Sequence, residues 1–253
     1  MQITFETLTK FLRPYAKQKL WNKAFCIGSH KTGTTSLNLV MEIIGFDCAP
    51  QAEIEISTVD QVQQGIYREL FKKVDSYDFF QDSPFAQGKT FIALDAYFPN
   101  SKFIFTYREP EEWFNSLTKF HQRILNKKVL GKSEIENFGY LREDYALRNT
   151  EFYYISEIDE KNNLKVNYNW DLLYNKEHYI DLYKRRRDEV IKYFQRRPKD
   201  LLILDITKEK DISKIASFLE LPEFINFTMP RINSTESNNE SSGVKILNPK
   251  LKE

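Results

Sequence analysis

Cysteine is scarce in this chain, with only Cys26 and Cys48 among 253 residues. Two thiols cannot build a disulfide framework, and Cys26, inside the apolar run Ala24-Phe25-Cys26-Ile27, reads as a small buried hydrophobe. Histidine is almost as rare: His30, His121 and His178 show no metal-ligand spacing, so no metal is expected. Charge of either sign is not in excess. The net charge of +1 excludes a chain that grips nucleic acid by bulk electrostatics, so attraction for anions has to be local. Long hydrophobic runs are missing too. No stretch approaches the roughly 20 apolar residues of a membrane span, and the N-terminal MQITFETLTKFLRPYAKQ is too polar for a secretory leader. The expectation is a soluble, cytoplasmic protein with no membrane span and no nucleic-acid partner.

What is present is enough apolar material, 41% of residues, for one sizeable core. Strand and helix patterns alternate. Strands are expected at 24–28, 77–81, 103–107 and 201–205. Helices are expected at 34–45, 61–74, 110–125, 176–196 and 211–220, and residues 90–98 fit one helical face slightly better than a strand. This alternation predicts an α/β fold, a parallel sheet covered by helices on both faces. The run Lys184-Arg185-Arg186-Arg187 sits among Asp181, Asp188 and Glu189, which makes it a solvated, ion-paired helix face. Residues 234–253, rich in Ser, Asn and Glu, lack a periodic apolar face and read as a flexible tail.

Residues 24–39, AFCIGSHKTGTTSLNL, carry the strongest signal. An apolar strand runs into a loop with Gly28 and Gly33, and a helix opens directly after it. Converging backbone N–H groups and the helix dipole make such a junction an anion site. Lys31 adds a mobile point charge, and Thr34, Thr35 and Ser36 add hydroxyls. A Walker loop, GxxxxGK[ST], has its lysine directly after the second glycine. Here Thr34 holds that position and the lysine stands two residues before Gly33.

A second motif lies at 102–117, KFIFTYREPEEWFNSL. Arg108 follows a β-rich run, at the strand end where open α/β sheets place ligands. Pro110, Glu111 and Glu112 suit a helix N-terminus, and Ser116 falls on that helix. An Arg fork and a hydroxyl could meet one anionic group.

Lys31-Thr32-Gly33-Thr34-Thr35-Ser36, followed by Arg108 and Ser116, resembles the PAPS-dependent sulfotransferases, a branch of the P-loop fold, in its small bacterial-type members. The match spans residues 22–117 and 180–233, closing on Leu201 to Asp205 and Phe227 to Asn233. The resemblance implies that residues 31–36 hold the 5′-phosphosulfate and that Arg108 and Ser116 hold the 3′-phosphate. It also implies a polar acid/base residue in Asp82-Ser83-Pro84, which makes Asp82 the catalytic partner of Lys31. Glu53, Glu55 and Asp95 are weaker candidates. The family would build its acceptor pocket from the unmatched 118–179, rich in aromatics such as Phe152, Tyr153, Tyr154, Tyr168, Trp170 and Tyr174. The alternative there is an aromatic core of the cap itself. Residues 1–233 would form one domain.

The implied reaction is transfer of a sulfuryl group from PAPS to a hydroxyl or amine, giving PAP without a required metal. A small molecule, lipid or carbohydrate could serve as acceptor. Two rival readings stay open. One is a P-loop kinase or NTPase, with Leu201 to Asp205 as a Walker B strand. The other is a non-catalytic PAPS/PAP-binding protein.

Overall fold

The computed structural model describes residues 4–126, 128, 154–158, 160–161, 164–168 and 170–230. The chain forms two compact units, one from residues up to Arg108 and from Phe194 on, the other from Glu109 to Tyr193.

The first unit is built on a parallel sheet. Its strands are β1 (Ala24–Cys26), β2 (Phe79–Phe80), β3 (Lys102–Thr106) and β6 (Leu201–Leu204), in the spatial order β2-β1-β3-β6. Alternation along each strand sends residues to opposite faces. Ala24, Cys26, Phe79, Ile104 and Leu204 join one core with α1 (Phe5–Ala16) and α2 (Thr34–Ile44), which contribute Leu8, Leu12, Ala16, Leu37, Val40 and Met41. Phe25, Phe80, Phe85, Phe98 and Phe103 form an aromatic layer, with Phe25 5.2 Å from Phe80 and 5.4 Å from Phe103 by ring centroid. Phe194 caps this layer at 4.9 Å from Phe103. The result is the α/β parallel sheet flanked by helices that the sequence pattern predicts.

Several boundaries differ from expectation. The stretch expected as one helix at 61–74 belongs to two: α3 (Gln51–Gln63) and α4 (Arg68–Val74). Gly65, at φ 78°, breaks the chain there, and Ile66 N–H bonds back to the Gln61 carbonyl at 2.8 Å. Residues 90–97 are helical, as α5 (Thr90–Tyr97). Helix α1 lies outside the elements expected from the sequence pattern.

The second unit holds α6 (Pro110–Leu125), an antiparallel ribbon of β4 (Tyr154–Ile158) and β5 (Leu164–Tyr168), and most of α7 (Lys176–Phe194). The ribbon likewise lies outside the expected elements. Trp113 stacks on Tyr183 at 4.1 Å, Phe114 meets Tyr179 edge-on at 5.7 Å, and Tyr174 lies 5.8 Å from Tyr179. These rings pack on one another, so part of the aromatic content forms this unit's own core. Phe152, Tyr153 and the tail 234–253 lie outside the described residues, as do the side chains of Tyr154 and Tyr168. A short helix, α8 (Ser213–Phe218), follows β6.

Candidate functional site

All four strands of the parallel sheet end at one edge, and the candidate residues of the first unit follow those ends. Lys31 follows β1, Asp82 comes two residues after β2, Arg108 two after β3, and Asp205 directly after β6. This carboxyl edge is where open α/β sheets bind ligands.

The loop from Ile27 to Gly33 is braced against β3. Ile27 N–H donates to the Ile104 carbonyl at 2.9 Å. A Cβ on Gly28 would fall onto the hydroxyl and backbone of Thr106, so only glycine lets the two strand ends approach this closely. Thr32 is buried. Its hydroxyl donates to the Ser29 carbonyl at 2.5 Å and lies 2.6 Å from Thr106 Oγ1. The Thr32 side chain therefore ties the loop together, and what it can offer a ligand is its backbone. Thr106, which local sequence reading passed over, is the anchor for both contacts.

Helix α2 begins at Thr34 after Gly33, which sits at φ 93°. No side chain caps this N-terminus, and its first turn holds no acidic residue. First-turn N–H groups of a helix lack intrahelical partners and favour an anion. Thr34 and Ser36 are buried at this end, Thr35 is exposed, and Lys31 is half-buried. Lys31 adopts φ 67°, in the left-handed region that a lysine rarely occupies.

Asp82 is the second such residue, at φ 60°, just before a cis Ser83–Pro84 bond. Its carboxylate turns toward the loop, with Oδ1 2.5 Å from His30 Nδ1. Burial pushes its acidity toward a higher pKa, but the charge and hydrogen bond of His30, then Lys31 and the Thr34 hydroxyl, outweigh this and lower it. For His30, burial works to lower the pKa, while the charge and hydrogen bond of Asp82, with Glu55, raise it against Lys31. The net result is a raised value. The other ring nitrogen, Nε2, is 3.0 Å from Ser83 Oγ. Asp82 therefore joins the loop through its side chain and is not a helix cap.

The other carboxylate candidates sit elsewhere. Asp95 takes two hydrogen bonds from Arg197, at 3.0 and 2.6 Å. Exposed Glu53 pairs with Lys73 at 3.2 Å. Glu55 faces His30 electrostatically and lies 3.3 Å from the Gln51 amide. Asp205 closes its own turn. Its Oδ1 accepts from Thr207 N–H at 3.0 Å and from the Thr207 hydroxyl at 2.6 Å, and Oδ2 pairs with Lys208 at 3.2 Å. That arrangement explains the Walker-B-like sequence as a strand-end turn. Arg108 is half-buried in the first unit, and Ser116 is half-buried on α6 in the second.

No group of three or more His, Cys, Asp or Glu suited to a metal occurs among the described residues. Nor is any described helix long and apolar enough to cross a membrane.

A parallel sheet carries at its carboxyl edge a glycine loop braced on β3 and a helix N-terminus that no side chain caps. A family model described as a sulfotransferase domain matches residues 23–238, and the chain belongs to that family. Sulfuryl transfer is the chemistry of this class. Comparison with curated proteins gave no match.

Proposed function

We propose that this protein transfers a sulfuryl group from PAPS to a hydroxyl or amine of a small-molecule, lipid or carbohydrate acceptor, releasing PAP. The observation that carries this reading is the open N-terminus of α2, flanked by Lys31 two positions before Gly33. The 5′-phosphosulfate would lie across the loop. The backbone N–H groups of residues 32–36, the hydroxyls of Thr34, Thr35 and Ser36, and Lys31 would hold it there. As the acceptor attacks sulfur, charge builds on the oxygen that bridges to the 5′-phosphate. Donors fixed in advance at that point contribute roughly 3–4 kcal/mol each to catalysis.

Arg108 suits the 3′-phosphate because its planar fork offers paired donors. Ser116 joins it in this proposal on the strength of the family resemblance. Asp82 is the group proposed to receive the acceptor's proton. The sulfuryl group carries less charge than a phosphoryl, so transfer does not require a divalent metal. We read residues 1–233 as one cytoplasmic catalytic domain, with the acceptor site drawing on 118–179.

The test is turnover of labelled PAPS across panels of phenols, sugars, lipids and amines, with wild type and Lys31→Ala compared on the acceptor found. The variant should fold normally by circular dichroism and lose at least about a hundredfold in turnover. Near-normal turnover would remove Lys31 from the mechanism.

A further inference from the structure

Asp82 is held from several sides. Its own backbone sits at φ 60° and its Oδ1 lies against His30 Nδ1. His30 in turn reaches Ser83 through Nε2 at 3.0 Å. Ser83 is fully buried, and its carbonyl accepts from the Gln51 amide at 2.7 Å, which ties the turn to α3. One imidazole thus clamps two consecutive residues of the turn after β2 onto the loop after β1. The side chain of His30 is 34% exposed and that of Asp82 22%, while Asp82 Oδ1, the oxygen facing the imidazole, is buried.

We propose that His30 is a positioning residue for the proton-accepting carboxylate: it aims Asp82 and makes the carboxylate's strength as a base depend on the proton carried by the imidazole. This inference rests on the sulfuryl-transfer reading of the site. In the transfer step the acceptor oxygen forms its bond to sulfur with a lone pair. The bond from sulfur to the bridging oxygen breaks, and its electron pair stays on the 5′-phosphate of PAP. The acceptor's proton passes to Asp82.

While His30 is an imidazolium, Asp82 is held as an ion-paired, weak base. Once His30 is neutral, the ring still lies against the carboxylate and aims it, but no full positive charge opposes protonation. Turnover should therefore rise with pH as His30 loses its proton. The charged groups facing the imidazole are Asp82 on the turn after β2, Glu55 on α3 and Lys31 on its own loop. The two acids hold the transition above the ordinary value of 6.5, because they outweigh burial and Lys31.

The experiment compares wild type, His30→Asn, His30→Ala and Asp82→Asn with PAP bound. Imidazole titration is followed by NMR, with the His30 signal assigned by its loss in His30→Asn. In wild type it should titrate above 6.5, and the midpoint should fall in Asp82→Asn. A midpoint at or below 6.5, or one unmoved by Asp82→Asn, overturns the inference without need of an acceptor. With the acceptor from the panel, His30→Ala should lose about 10- to 100-fold in kcat while PAP affinity stays within about threefold, the scale of an interaction made with the acceptor alone. His30→Asn keeps a donor for Asp82, so it should recover part of kcat and lose the rise with pH. His30→Ala with wild-type kcat and pH profile would sink the role of His30 and leave the transferase reading standing. Full activity in Asp82→Asn would instead remove the carboxylate, and failure of wild type to bind PAP would remove the transferase reading itself.

Discussion

Gly28 and Thr106 are the residues on which the loop's shape depends most directly. There is no room for a side chain at 28, so Gly28→Ala must push the loop off β3. The expected cost is about 1–3 kcal/mol, as for other overpacked sites, measured by urea unfolding. A loss below a few tenths would mean that the loop tolerates displacement. Arg108 makes a different kind of claim. Arg108→Ala should weaken PAP binding by about tenfold or more, since a charge-assisted fork contributes about 1.5–3 kcal/mol. Binding of adenosine 5′-phosphosulfate, which has no 3′-phosphate, should hardly change. Equal losses for both ligands would refute the assignment. Lys31, Thr34 and Arg108 were legible as candidates because each stands in a short pattern of neighbours in sequence. His30 was not, because its partners Asp82 and Ser83 are 52 and 53 positions away and only the parallel pairing of β1 with β2 brings them together. The sequence also offered Thr32 as a ligand for the donor, whereas its hydroxyl is engaged with Ser29 and Thr106.

At the scale of elements, the N-terminus of α2 separates two ideas about the same helix. A negative charge in an exposed first-turn position stabilises a helix by about 0.3–1 kcal/mol. Thr35 is exposed in that turn. Thr35→Glu should therefore hold or raise the thermal midpoint of the free protein while lowering PAP affinity at least tenfold. A variant that binds PAP normally would show that the phosphates lie elsewhere. The elements themselves were legible where one periodic signal dominated. Helix α6 matches its expected range of 110–125, because Pro110 and two acids mark its start. Helices α3 and α4 were merged in part because an apolar rhythm continues across the break while the turn at Gly65 spans only a few residues. Helix α1 shows no clean apolar face in sequence, because exposed Phe5 and Phe11 stand among the buried Leu8, Leu12 and Ala16 and Pro14 lies inside it. The ribbon of β4 and β5 did carry a local signal, since Leu164, Val166 and Tyr168 alternate with Lys165 and Asn167 after the Asn162-Asn163 pair.

For the whole molecule, the His30–Asp82 pair links stability to pH. The folded pKa of His30 is raised above 6.5, so its contribution is fully present below 6.5 and is lost as pH rises through the folded value. The folded pKa of Asp82 lies below 3.8, so its contribution is present above 3.8 and is lost as pH falls through the folded value. The unfolding free-energy difference between wild type and His30→Ala should peak between those two ordinary values and shrink on either side. A difference flat from pH 4 to pH 9 would mean that the pair is not an ion pair in solution. The same window is where the proposed base is weakest, so stability and turnover should move in opposite directions as pH rises past His30.

In the proposed function the loop after β1 and the N-terminus of α2 hold the phosphates of PAPS. Calorimetric titration of the purified protein with PAP, without and with Mg²⁺ and with ADP and ATP as controls, tests it most directly. PAP should bind tightly with or without the metal, and ATP should bind little. Preference for ATP with Mg²⁺ would contradict this reading and turn the site toward phosphoryl transfer.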